Sequence, residues 1–471
     1  MTAVRTAAAG LALLLAAACT APTPPRSQAS AAAGTACARP SGSLGAETPT
    51  TVDVIEQAYF CILDRYHAGA VLDARSLLAA GFLALTQELN RNGRDVPEAI
   101  MPALTGDRKA DWAAFETAYR KVTDRVPDLR DKLAVTTLEA IVAALGDDHA
   151  RWAHDAGRPP DSYDVDGYGL GLQVSVTSLQ AGGDPGAAIP AVRHRRAGRR
   201  RAGRRAAPRR HHRSRQRLGA LHRRQGHPAV AALYPDYPEA RPVELRLLRQ
   251  ATGRRWSVTL TPGLFPQDPA ALRVVQSKLL EDDVAYVRLR GFASDAANRV
   301  FKAIARLRTG RTLSGVVLDL RDNGGGSPAE TTRLLSAFGH GKVTAYQCTV
   351  DGECEAMRTD DTVELLGLPL VVLIGPGCPS ACEHFSAAVK DLRLGQLVGT
   401  RTAGAVSGPA SSYLLSNNTL LGFPSKHHLG PNREVIDRIG VPPDHHVPPT
   451  AEDAAAGRDP ALAKALTLLH K

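Results

Sequence analysis

Apolar positions recur at two different spacings along the chain, and the change of period divides it. Over 50–156 they return every three or four residues. Val54, Tyr59 and Leu63 share one such face, and Leu138, Ile141, Val142 and Leu145 share another, which predicts helices. Thr50 and Asp53 are placed to cap the first helix and Gly146 to end the last. A strand-like stretch follows at 168–176, and two short alternating runs, 243–248 and 256–260, end in Thr261-Pro262-Gly263. From 284 onward, strand and helix patterns alternate. Strands are predicted at 284–289, 315–320 and 370–374, and helices at 294–307, 328–338 and 380–392, with Val300, Ile304 and Leu307 on one helical face. That alternation is the signature of α/β architecture.

Two segments fit neither period. The first is apolar, runs from Thr6 to Ala18 behind Arg5, and ends in Ala16-Ala17-Ala18-Cys19. It is too short to span a bilayer and has the layout of a secretory signal, with the small residues before Cys19 resembling a lipobox. The expectation is an exported protein, bound to the membrane through lipidated Cys19 or released outside the cell. An Ala/Pro/Ser-rich stalk over 20–48 would hold the rest off the surface. The second is basic: 193–224 carries fifteen arginines and no acid, so the formal net charge of +11 becomes −4 without it. This run is read as a disordered block, as a stretch translated in the wrong frame, or as a patch for acidic headgroups or other polyanions. No specific nucleic-acid partner is expected from a charge so localised.

With Cys19 set aside six cysteines remain, an even number that favours disulfides in an oxidising compartment. Proximity suggests Cys37 with Cys61, Cys348 with Cys354 and Cys378 with Cys382. No spacing of cysteine and histidine signals zinc, and neither a metal nor another cofactor is expected.

The candidate chemistry gathers at two turns. Strand 370–374 runs through Gly375-Pro376-Gly377 into the helix that begins at Ser380. A hydroxyl therefore stands at a helix N-terminus beyond the carboxyl end of a strand, where the Ala381 amide is free to face an oxyanion. A serine there also serves as an ordinary cap, with Glu383 completing a capping box. The second turn, Asp319-Leu320-Arg321-Asp322-Asn323-Gly324-Gly325-Gly326, closes a buried strand with three glycines that let backbone amides approach a ligand.

In order and spacing these segments, followed by Ser380-Ala381-Cys382-Glu383-His384-Phe385, Val398-Gly399-Thr400 and Gly440-Val441-Pro442-Pro443-Asp444, resemble the tail-specific (C-terminal processing) serine peptidases of the S41 type. The resemblance implies a crotonase/ClpP-like α/β core over 270–471, a helical N-terminal domain over 49–160 and a degenerate PDZ-like module over 165–263. It implies Ser380 as nucleophile, Gly325 or Gly326 with Ala381 as oxyanion donors, and supporting places for Glu383 and Asp391. One departure is plain. Where the processing branch carries its activating lysine, this chain reads Thr402-Ala403-Gly404-Ala405-Val406. The tricorn-like branch uses histidine and carboxylate instead, which maps onto His149 as general base and acid and Asp437 as the group fixing its tautomer, with Glu434 as the fallback. His384 reads as structural, and His427, His428, His445 and His446 as surface. The function expected is an endopeptidase acting on polypeptides through an acyl-enzyme. The alternative is a catalytically silent binding protein on the same scaffold. Substrate, cleavage specificity and oligomeric state are not written in the sequence.

Overall fold

The computed structural model describes residues 37–41, 45–154, 166–170, 241–249, 252–266 and 273–470. Cys19 and the arginine run lie outside them, so the expectations for lipidation and for 193–224 rest on sequence alone.

Four helices open the described chain: α1 (Val52–Arg65), α2 (Ala74–Arg91), α3 (Arg108–Arg125) and α4 (Arg130–Ala143). Asp73 and Asp107 cap α2 and α3, Asp73 accepting from the Arg75 amide and Asp107 from the amides of Lys109 and Ala110. Thr50 does not cap α1. Thr51 holds that position, and the Thr50 hydroxyl instead accepts from Asn417 Nδ2 at 3.2 Å, a contact across 367 residues that a local pattern cannot announce. A short strand, β1 (Arg151–Ala153), leaves the bundle. The strands β2 (Asp166–Gly169), β3 (Val243–Arg249), β4 (Arg254–Leu260) and β5 (Gly263–Pro266) form two small antiparallel ladders, β2 with β5 and β3 with β4.

The remainder is the α/β part, in the order β6 (Val275–Leu279), β7 (Val284–Leu289), α5 (Ala296–Arg308), β8 (Gly315–Asp319), α6 (Pro328–Ser336), β9 (Val343–Thr349), β10 (Cys354–Arg358), β11 (Leu370–Ile374), α7 (Ala381–Asp391), β12 (Gln396–Gly399), β13 (Ala410–Leu414), β14 (Leu420–Pro424), β15 (Lys426–Leu429), β16 (His445–His446), α8 (Ala451–Ala456) and α9 (Pro460–Leu469). Its main sheet runs β16-β12-β11-β8-β7-β6, parallel except for β6. β8 and β11 are buried at every position, as strands covered on both faces must be. One face packs on α5, α6 and α7, the other on α9.

The helical and α/β parts share a core. Tyr413, Leu415, Leu421 and Phe423 of the β13–β14 hairpin are buried among the residues of α1 to α4, and β1 adds to that hairpin with Trp152 opposite Leu421. A half-buried indole N–H, Trp152 Nε1, donates to Thr419 Oγ1 at 2.8 Å and fixes the register. The three expected disulfides are present: Cys37–Cys61, Cys348–Cys354 and Cys378–Cys382. Among the described residues no helix is long and apolar enough to cross a membrane.

Candidate active site

β8 and β11 are neighbours in the sheet, with Leu373 opposite Asp319, so the turns that follow them meet. Gly325 sits at φ 83° and Gly326 at φ 142°, backbone that a side chain rarely tolerates. A Cβ on Gly325 would lie 2.8 Å from the Ser380 Cβ, and one on Gly326 would collide with the Phe292 carbonyl oxygen. Buried Asn323 holds this turn: its Nδ2 donates to the Leu289 carbonyl at 3.1 Å, and its Oδ1 accepts from the Gly325 amide at 2.9 Å. Among the described residues the amides of Gly326 and Ala381 have no acceptor, which leaves them free to receive an oxyanion.

Ser380 stands at φ 59° and ψ −125°. An ordinary cap lies in the extended region, so capping alone gives no reason for this strain. The strained turn is clamped from below by Glu383. Its carboxylate accepts from the Thr402 hydroxyl and the Gly404 amide at 2.6 Å each, from the Ala405 amide at 2.7 Å and from the Ser380 amide at 3.2 Å. The Ser380 amide also donates to the Ala405 carbonyl at 2.8 Å. Complete burial pushes Glu383 up to about 7, against the pull of those four donors. The segment without lysine is thus built into the support of Ser380.

His149 comes from the helical side, two residues before β1. Its Nε2 lies 3.2 Å from Ser380 Oγ, and the residue is 7% exposed. On the other side of the ring, Nδ1 lies 3.1 Å from Ser407 Oγ, which donates to Asp147 Oδ1 at 2.8 Å. Asp147 Oδ1 also accepts from the His149 amide at 2.8 Å, and Oδ2 from the Tyr66 hydroxyl at 3.0 Å, with His67 Nε2 at 3.6 Å. Burial pulls the Asp147 carboxyl upward, but the His67 ring, the His149 amide and the Ser407 hydroxyl outweigh it and hold the group down to about 2. An ionised Asp147 only accepts, so the Ser407 hydrogen is committed to it and the Ser407 lone pair receives Nδ1–H. That assignment leaves the Nε2 lone pair facing the serine hydroxyl.

Asp437 lies against the same loop. Its Oδ1 accepts from the Val406 amide at 3.0 Å, its Oδ2 is 4.0 Å from Arg438 Nε, and burial followed by repulsion from Asp147 raises its pKa. The structure therefore brings together Ser380, His149, Gly325, Gly326 and Ala381, and puts Asp437 beside the backbone that precedes Ser407. Glu434 faces elsewhere, toward Asp391 and the Asn432 amide. Ser407 and Asp147 escaped the sequence reading. Asp147 left a faint signal, an aspartate in the turn after a helix whose side chain binds the amide two residues on. Ser407 left none, being 258 residues from its partner ring.

One histidine corrects an expectation. His428 is 3% exposed rather than on the surface, with its ring against His384, and burial lowers both, His428 to about 4. Adjacent strand positions point to opposite faces, and one of them here is the core.

Residues 283–447 match the model of peptidase family S41. That segment, about a third of the chain, resembles an S41 peptidase region. Over 241 residues it is 30% identical to carboxyl-terminal-processing peptidase 2, chloroplastic, of Arabidopsis thaliana, covering 48% of this chain and 45% of that protein. Over 164 residues it is 32% identical to tricorn protease homolog 1 of Streptomyces coelicolor, covering 34% of this chain and 15% of that protein. The chain spans about half the length of the processing peptidases it matches. Among solved structures, the photosystem II D1 C-terminal processing protease superposes over 87% of this chain and 98% of its own at 18% identity, with a TM-score of 0.46.

Proposed function

We propose that the protein is an exported serine endopeptidase that cleaves polypeptides through an acyl-enzyme, with Ser380 as nucleophile and His149 as general base and acid. The single observation that carries this is the 3.2 Å approach of His149 Nε2 to a serine hydroxyl held on a strained turn. In this reading Ser380 Oγ attacks the scissile carbonyl carbon while its proton passes to Nε2. The carbonyl oxygen, now negative, meets the amides of Ala381 and Gly326, with Gly325 closing the turn beside them. Collapse of the tetrahedral adduct breaks the C–N bond as His149 returns the proton to the departing amine. A water molecule, deprotonated by the same ring, then hydrolyses the ester and restores Ser380. Asp147, acting through Ser407, keeps the productive tautomer, and Asp437 steadies the Val406 backbone that carries Ser407. This system takes the place of the lysine that Ala405 lacks.

The finer architecture belongs to the same proposal: a crotonase-like core, a PDZ-like module built around β2 to β5 for a polypeptide terminus, and a lipid anchor at Cys19. Metabolic labelling with an alkyne fatty acid, lost in Cys19→Ala, is the expected result for the anchor; labelling that persists would remove it.

Activity is tested by treating the purified protein with a fluorophosphonate probe beside Ser380→Ala and His149→Ala. Labelling of the parent that disappears in both variants supports the hydrolase. A folded parent that takes no label overturns it and favours a silent binding protein on the peptidase scaffold.

A further inference from the structure

The Cys378–Cys382 disulfide closes a ring around Ser380. Its cysteines stand two residues before and two residues after the serine, with their Cα atoms 5.2 Å apart and both residues fully buried. A ring this short removes little entropy from the unfolded chain. It removes less than Cys37–Cys61, whose cysteines are 24 residues apart. Global stabilisation is therefore a weak reason for a bond here, and a local reason lies inside the ring. Ser380 holds φ 59° and ψ −125°, a conformation that persists only where its surroundings over-determine it.

The contacts around the turn divide into two sets. From the loop side, the Ala405 carbonyl and the Glu383 carboxylate hold the Ser380 amide. On the approach from β11, Cys378 and Pro379 are held by the Cys378 amide on the Gly375 carbonyl at 3.0 Å, the Cys382 amide on the Pro379 carbonyl at 3.1 Å, the Ala403 amide on the Cys378 carbonyl at 3.4 Å, and the disulfide. Without the bond, the approach to the serine keeps three single backbone hydrogen bonds and no covalent restraint. The Cys382 sulfur also lies 3.7 Å from the Leu320 carbonyl oxygen, at the start of the glycine turn. The covalent link thus ties the serine turn to the helix start and seats both against the strand end that carries the oxyanion glycines.

We propose that the Cys378–Cys382 disulfide is a positioning element of the site, keeping the Ser380 hydroxyl in line with His149 and the Ala381 amide in line with Gly326. This rests on Ser380 being the nucleophile. Because both cysteines are fully buried, dissolved thiols do not reach the bond in the folded protein, so it acts as a fixed brace and not as a redox switch.

The test compares the parent with Cys378→Ala/Cys382→Ala, a pair that leaves no unpaired thiol at the turn. Three readouts are followed: the rate of fluorophosphonate labelling, deuterium uptake of the peptide covering 376–386, and the split between kcat and KM on a peptide substrate. The expected result is labelling slowed by about 100-fold, the loss that follows a displacement of about 1 Å. It is accompanied by faster exchange confined to the turn and a fall in kcat at unchanged KM. Equal labelling and equal exchange would overturn the proposal, as would peptide mapping of the parent that finds both thiols free. Should the parent fail to label, the nucleophile reading falls, while the exchange comparison still decides whether the bond braces the turn. If the double variant does not fold, the Cys378→Ser/Cys382→Ser pair, closer in size to the parent, is measured in the same way.

Discussion

Ser380 and His149 stand 3.2 Å apart, yet they arrive there by different physical routes. Ser380 is placed by local structure: a buried strand, a glycine turn, a helix start, and a glutamate three residues on that clamps the turn. His149 is placed by distant structure. It depends on a helix stop, a short strand added to a hairpin about 270 residues away, and a core that α1 to α4 share with Tyr413 and Phe423. The serine half stores strain in its own backbone. The histidine half stores none there and depends on packing between two parts of the fold. Damage to the first should therefore act chiefly on chemistry, and damage to the second on chemistry and stability together.

The largest effect separates the halves from everything else. Ser380→Ala and His149→Ala are each expected to lower kcat/KM by about 10⁴-fold or more without loss of fold, and the double variant to be little worse than either single one, because the two groups act as a unit. Additive losses, measured by single-turnover kinetics, would mean that they do not share a proton.

Next comes the Nδ1 side of the ring. Asp147→Asn offers Ser407 a donor where it had an acceptor, so the hydroxyl turns its hydrogen toward Nδ1 and the productive tautomer is lost. The expected fall in kcat is about 10³-fold, with Ser407→Ala milder at about 100-fold. Asp437→Asn should cost less than Asp147→Asn. The opposite order would return the tautomer-fixing role to Asp437.

How much of this was readable beforehand follows the same division. The strands at 284–289 and 370–374 agree with β7 and β11 residue for residue, because β11 is an unbroken apolar run and β7 departs from one only at Arg288. Helix α5 starts at Ala296 and not at Ser294, since Asp295 adopts a left-handed φ of 66° and the Glu330 side chain, from α6, takes the Asp295 and Ala297 amides. Ser380 and its glycines could be found because strand, turn and helix are contiguous in sequence. His149 required the resemblance, and Ser407 with Asp147 required coordinates, since hydrogen bonds across 258 and 260 residues leave no periodic trace. The burial of His428 could not be told from alternation alone, which identifies two faces without saying which is covered.

Stability sharpens the contrast further. Phe423 is fully buried where Tyr66 and Tyr413 pack on it, so Phe423→Ala should cost about 3 to 5 kcal/mol of unfolding free energy and reduce activity by loosening His149. Urea denaturation together with labelling rate checks both. A variant destabilised by that amount but labelled at the parent rate would show that His149 does not depend on the shared core.

Glu383 adds a pH signature to the serine half. Its folded value, about 7, lies above the ordinary 4.5, so the native state holds this proton longer than the unfolded chain does. Its contribution is therefore fully present below about 4.5 and is lost as pH rises through about 7, a change on the order of 3 kcal/mol. Unfolding measured between pH 4.5 and 7.5 should show that slope in the parent and a flatter one in Glu383→Gln. Parallel slopes would mean that the four donors keep Glu383 ionised throughout.

The smallest effect is the most specific to strain. Ser380→Gly and Ser380→Ala both remove the hydroxyl and its contact with His149, so they differ only in backbone. At an ordinary position glycine is the less stable of the two, by about 0.5 to 1 kcal/mol, because it loses more freedom on folding. At φ 59° and ψ −125° the balance reverses, since alanine keeps the Cβ that makes this region costly and glycine does not. The glycine variant should therefore be the more stable by about 1 kcal/mol, read from paired urea midpoints at equal slope. If alanine proves the more stable, the turn carries no strain, and the serine half is held no differently from the histidine half.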